Sequence, residues 1–191
     1  MVIPDYIKEI LAEITSQARE SSEINQRSGV SVRVSISNYE TLLGNALRRS
    51  IIHGDQWVCP RTTDLSYIVA PFSGTIVLET FEEGRESRVT DDLTRRAVLR
   101  IFGSRFDVDQ LERIVTAFDM GHTAETSREK PAAEYMALLT EVDGLADAVR
   151  KLTSDERAEV VASAVDFILE GLHLNRRLNC ERTSAGNLYR R

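Results

Sequence analysis

At 191 residues the chain is long enough to bury a substantial core, as one domain or two small ones. A hydrophobic share of 42% with 28% charged residues excludes a disordered or fibrous chain. A net charge of −6 argues against a nucleic-acid binder, and no apolar run reaches membrane-spanning length.

The pattern along the chain is that of successive helices. Pro4 suits a first helical turn, and Ile7, Ile10, Leu11, Ile14 and Ala18 then share one face to about Arg19. The polar stretch SSEINQRSGVS, with Gly29, reads as a loop. Ser37 and Glu40 form a capping-box signature ahead of Leu42, Leu43, Ala46, Leu47 and Ile51, with His53-Gly54 as the stop. A shorter helix is predicted from Arg61–Asp64 to about Phe72.

The segment GTIVLETFEEGRESRV alternates apolar and polar residues on both sides of an EEG turn and reads as a small β-hairpin, although such short runs suit helix or strand. Helical spacing returns from Asp91 to Phe106, and again from Asp107, an N-cap candidate, through Leu111, Ile114, Val115 and Phe118. After the polar linker GHTAETSREK, Pro131 opens a long predicted helix through Tyr135, Leu138, Leu139, Val142, Leu145, Val149 and Leu152. Thr153 and Glu156 suggest a second capping box, followed by Val160, Val161, Ala164, Val165, Ile168, Leu169 and Leu172. These last two helices are expected to pack as an αα-hairpin.

Charge is unevenly spread. Residues 174–191 hold five arginines and one glutamate, after a strongly acidic stretch, and read as a solvated, frayed tail. The opening MVIPDYIKEI lacks the basic stretch and apolar core of a signal peptide, and Cys59 and Cys180 lack metal-ligand spacing, which points to a reduced, cytoplasmic protein.

Few residues carry recognisable chemistry. His53, His122 and His173 are scattered, and two of them fall where histidines cap helix C-termini. The pairs Glu82-Glu83, Asp91-Asp92 and Asp155-Glu156 fall at turns and first helical turns, where acids are favoured structurally. Trp57 and Tyr135 lack the interleaved cations of a base-stacking surface and read as packing residues. No GxxxxGK[ST] loop occurs. Arg33 stands apart: it follows Gly29 and Ser31, lies between Val32 and Val34, and precedes a helix. A guanidinium held in that way suits an anion such as phosphate, because its charge is permanent and its fork can meet two oxygens.

The run SGVSVRVSISNYETLLGNALRRSIIHGDQWVCPRTTDL resembles the C-terminal lid of AAA+ ATPases of the magnesium chelatase and MoxR group. There a Gly-x-Ser-x-Arg stretch supplies the sensor-2 arginine, and a "V-x-P-x-D" turn, here Val58 to Asp64 in a longer form, opens the next helix. IPDYIKEILAEITSQARESSEINQ is similar to the first lid helices, and SGTIVLETFEEGRES and AVDFILEGLHLNRRLN to the extension in I-subunit-like chelatases. The resemblance implies a mainly α helical bundle in four parts: a lid-like region (1–73), a hairpin plus helices (74–128), the αα-hairpin (129–173) and the basic tail (174–191).

It further implies that Arg33 reaches the γ-phosphate of ATP, with Ser31 shaping the loop and Gly29 permitting its turn. ATP and Mg2+ would be held by an AAA+ core that this chain lacks, so the chain alone is expected to hydrolyse nothing. A ring of like subunits and a partner with a von Willebrand factor A domain are implied in the same way; nucleic acid and membrane are not. The alternative reading is a free-standing helical interaction module with no nucleotide role.

Overall fold

The computed structural model describes residues 1–25, 30–70, 76–79, 84–183 and 186–191. The chain is mainly α-helical. Among the described residues its helices include α1 (Asp5–Glu20), α2 (Val32–His53), α3 (Arg85–Arg105), α4 (Glu112–Asp119), α5 (Leu138–Glu141), α6 (Leu145–Leu152) and α7 (Ala158–Leu174). The 3-10 turns Thr62–Ile68, Val108–Leu111 and Ala132–Tyr135 lie between them among the described residues. Strands β1 (Ala124–Thr126), β2 (Asn179–Arg182) and β3 (Asn187–Arg190) form one antiparallel sheet in the order β1-β3-β2.

The fold is organised around α7. Every residue from Val160 to Leu172 is buried, and the helix touches the Ala132–Tyr135 turn, α3, α6 and the Thr62–Ile68 turn. A helix apolar on all sides is a core helix, whereas α1 carries a single apolar face. On that face Ile7, Ile10, Leu11, Ile14 and Ala18 are buried, and α1 packs against α2 and α3. Tyr6 stacks on Phe167 of α7 at 4.5 Å between centroids, and Phe102 of α3 meets Phe167 edge-on at 5.7 Å. Phe102 can come so close because Gly171 presents no side chain. A Cβ built there would lie 2.0 Å from the ring. No helix among the described residues is long and apolar enough to cross a membrane.

The predicted hairpin at 74–89 lacks its second strand. Arg85–Val89 is instead the first turn of α3, which starts six residues earlier than its apolar spacing suggested. The strand-like piece pairs elsewhere: Asn25 N donates to Val77 O at 2.8 Å and Glu79 N to Glu23 O at 3.0 Å, which places Leu78 opposite Ile24. The remainder of that hairpin, and Phe72 as the end of the preceding helix, lie outside the described residues.

The long helix expected from Pro131 is three pieces. Val142 turns extended and Gly144 adopts φ +82°, a left-handed conformation that interrupts the helix and favours glycine. The αα-hairpin is therefore short, with α6 packed on α7. Tyr135, Val142, Val149, Val161, Val165, Ile168 and Leu172 are all buried, and Leu139 is half-buried. Thr153 caps a turn through Asp155 N rather than starting α7, which begins at Ala158.

The tail is not frayed. β2 and β3 place Cys180 opposite Tyr189, and the Tyr189 ring is fully buried beside His173. Its hydroxyl donates to Glu170 at 2.8 Å. An aromatic with an internal partner for its hydroxyl outweighs the pull of five arginines toward solvent.

Candidate functional site at the two ends of α2

α2 starts at Val32, five residues before the Ser37 cap suggested by the sequence. Ser31 is the cap instead: its Oγ accepts from Arg33 N at 3.2 Å. The early start follows from packing, since Val34, Asn38, Leu42 and Ala46 recur every four residues on the buried face. Leu47 and Ile51, expected inside, are exposed. Gly54 ends the helix at φ +67° with its N–H on Ser50 O, as the His53-Gly54 stop implied.

Arg33 is thus an exposed residue of a first helical turn rather than a loop residue. Two contacts fix its surroundings: Thr15 and Ser35 share a hydroxyl hydrogen bond at 2.8 Å, and Arg19 Nε donates to Val30 O at 3.1 Å. The Arg33 side chain forms no ion pair among the described residues, and α2 has no acid in its first turn. A cation there faces the positive end of the helix dipole, so the position is unfavourable until an anion arrives. Ser31 lies beside it at the surface, while Gly29 falls outside the described residues.

The other end of α2 is buried and charged. Arg49 Nη1 donates to Asp64 Oδ1 at 2.6 Å, and Arg49 Nη2 to Cys59 O at 2.8 Å. Arg61 N donates to Asp64 Oδ2 at 2.8 Å, so Asp64 closes the turn that the sequence placed at 61–64. The Arg61 guanidinium reaches Ser127 O and Lys130 O and lies over the Tyr135 ring, 4.5 Å from its centroid. Asp166 of α7 accepts from Thr62 Oγ1 at 2.7 Å and Thr63 N at 2.8 Å. Ser163 Oγ donates to Pro60 O at 2.6 Å. Burial raises the Asp64 carboxyl above its usual range, and the Arg49 charge opposes that rise. Sequence reasoning missed this cluster, because Arg49 and Asp64 stand fifteen residues apart and share no local pattern.

Burial also acts on protons nearby. It pushes the Cys59 thiol from 9.0 up to about 12, and it raises the Tyr6, Tyr135 and Tyr189 phenols. These groups keep their protons in the fold at pH values where the unfolded chain releases them. Their contribution to stability is therefore complete below about pH 9 and lost as pH rises toward 12. Thermal unfolding followed by circular dichroism should show a midpoint that falls steadily between about pH 9 and 11. A flat profile would mean that these groups titrate in the fold as freely as in the unfolded chain.

Trp57 is covered by Arg157 at 4.4 Å, and His173 Nδ1 bonds Leu178 O at 3.1 Å. Among the described residues no three of His, Cys, Asp and Glu converge as metal ligands. Set against family models, curated proteins and solved structures, the chain has no match.

Proposed function

We propose that this chain is the lid and helical extension of a magnesium-chelatase-like AAA+ ATPase, acting in the cytoplasm, with Arg33 as the residue that senses the γ-phosphate of ATP. One observation supports this above others: an exposed, unpaired guanidinium on the first turn of a serine-capped helix, where no acid offsets it. In that role the fork of Arg33 meets two phosphate oxygens held by a separate core, and the α2 amides around the Ser31 cap add to the attraction. Mg2+, a ring of like subunits and a partner with a von Willebrand factor A domain belong to the same reading, through the core.

The DNA ahead of the Met1 codon, in frame or as an adjacent gene, should encode a phosphate-loop core. Combined with that core, the chain should support ATP hydrolysis that falls at least about tenfold in Arg33→Ala, as for other phosphate-facing arginines. Arg33→Lys should recover little, since an ammonium keeps the charge and loses the fork. Wild-type turnover in both variants, or no such core in the neighbourhood, would favour an interaction module without a nucleotide role.

A further inference from the structure

A cleft of about 230 Å³ opens where the Thr62–Ile68 turn, α3 and the β2–β3 hairpin meet. Arg95, Arg128 and Arg182 line it, with Asp91, Glu170 and Thr63 among the facing residues. Arg33 is not part of it.

The charges are unequally matched. Glu170 accepts from Arg182 Nη2 at 2.8 Å and from the Tyr189 hydroxyl at 2.8 Å, so this acid is already satisfied. Arg128 lies 4.8 Å from the centroid of the Tyr67 ring and donates to Ser66 Oγ at 3.3 Å, contacts that orient its guanidinium without neutralising it. Neither Arg128 nor Arg95 has a carboxylate within ion-pair range among the described residues. Asp91, one turn before Arg95 on α3, is the opposing charge at the rim. Thr63 Oγ1 is buried with no hydrogen-bond partner, while its backbone N–H is held by Asp166.

The Thr63 hydroxyl is closed off from the cleft, so the arginines are the groups that can meet a ligand. Two guanidiniums without carboxylates, facing the same space, call for an anion with several oxygens. The volume lies below the roughly 300–1,000 Å³ of sites for drug-sized molecules, so the anion is small. We propose that this cleft binds the phosphate group of a small molecule, with Arg95 and Arg128 as forks. The site is separate from the nucleotide role of Arg33 and stands without it.

Calorimetric titration of the full chain with inorganic phosphate, at ionic strength held constant with chloride, tests the site. Arg95→Ala and Arg128→Gln should each weaken binding about tenfold, the loss of one charge-assisted hydrogen bond. Asp91→Asn should tighten it by removing the like charge. Arg33→Ala should leave it unchanged. Because Arg95 is exposed, its variant reports on binding even where Arg128→Gln loosens the fold. A sugar phosphate run in parallel identifies the source: tighter binding than the free ion marks an ester ligand, equal binding the ion itself. Heats no larger than those of chloride, or arginine variants that bind like wild type, would overturn the proposal.

Discussion

Asp64→Ala should cost the fold on the order of 3–5 kcal/mol, the range for removing one partner of a buried ion pair. The side chains of Arg49 and Asp64 are 4% and 1% exposed, so the surviving cation could not reach water. The loss is larger than one bond, because Asp64 also accepts from Arg61 N and Arg61 is itself almost wholly buried. Against a typical total of about 5–15 kcal/mol, a change of this size leaves a marginal protein. Urea unfolding should show the midpoint moved far toward zero with little change in slope. The double variant Arg49→Met with Asp64→Leu should recover much of the loss, since an apolar pair removes both desolvation penalties. A single-variant cost below about 1 kcal/mol would mean that water reaches this pair, as at surface ion pairs.

Gly171→Ala should destabilise by about 2 kcal/mol or more, although alanine normally improves a helix by roughly 1 kcal/mol over glycine. The new methyl would stand 2.0 Å from Cδ2 and 2.3 Å from Cε2 of Phe102. The ring has nowhere to retreat. Phe102 is fully buried, packs on Phe106 at 5.2 Å and meets Phe167, which in turn stacks on Tyr6. Relief therefore requires α3 to move away from α7, which opens the core. The compensating variant Gly171→Ala with Phe102→Leu should restore part of the loss, which a purely local helix effect would not allow. An unfolding temperature equal to or above wild type in the single variant would show that α3 and α7 are not in this close contact.

These residues also show how far the sequence could be read. Features governed by local chemistry were legible: the α1 face, the Gly54 stop, the turn closed by Asp64 and the apolar content of α7 all follow from spacing and capping. The start of α2 was harder, because Ser31 and Ser37 are both good caps. The choice falls to Val34, whose burial depends on α1 and the loop before it. The tail was misread for a related reason. Its charge is visible in the sequence, but the pairing of β3 with β1, more than sixty residues away, is not. Arg33 was legible as an arginine in an unusual place, and it is exposed on the first turn of α2, as the role proposed for it requires. The buried charges at 49, 61 and 166 had no signature, since each became an interior residue through partners distant in the chain.

The position of α7 has a consequence for how the molecule is made. Tyr6 closes on Ser163 and Phe167, across 157 residues in the case of the hydroxyl pair. During synthesis the apolar faces of α1 and α3 emerge well before α7, which packs on both. At translation rates of about 5–20 residues per second they wait many seconds for it. Until residues 158–174 leave the ribosome, α1, α2 and α3 can pack on one another, but Tyr6 and Phe102 lack the Phe167 ring that closes the core between them. Completion of the core is then a late event of synthesis.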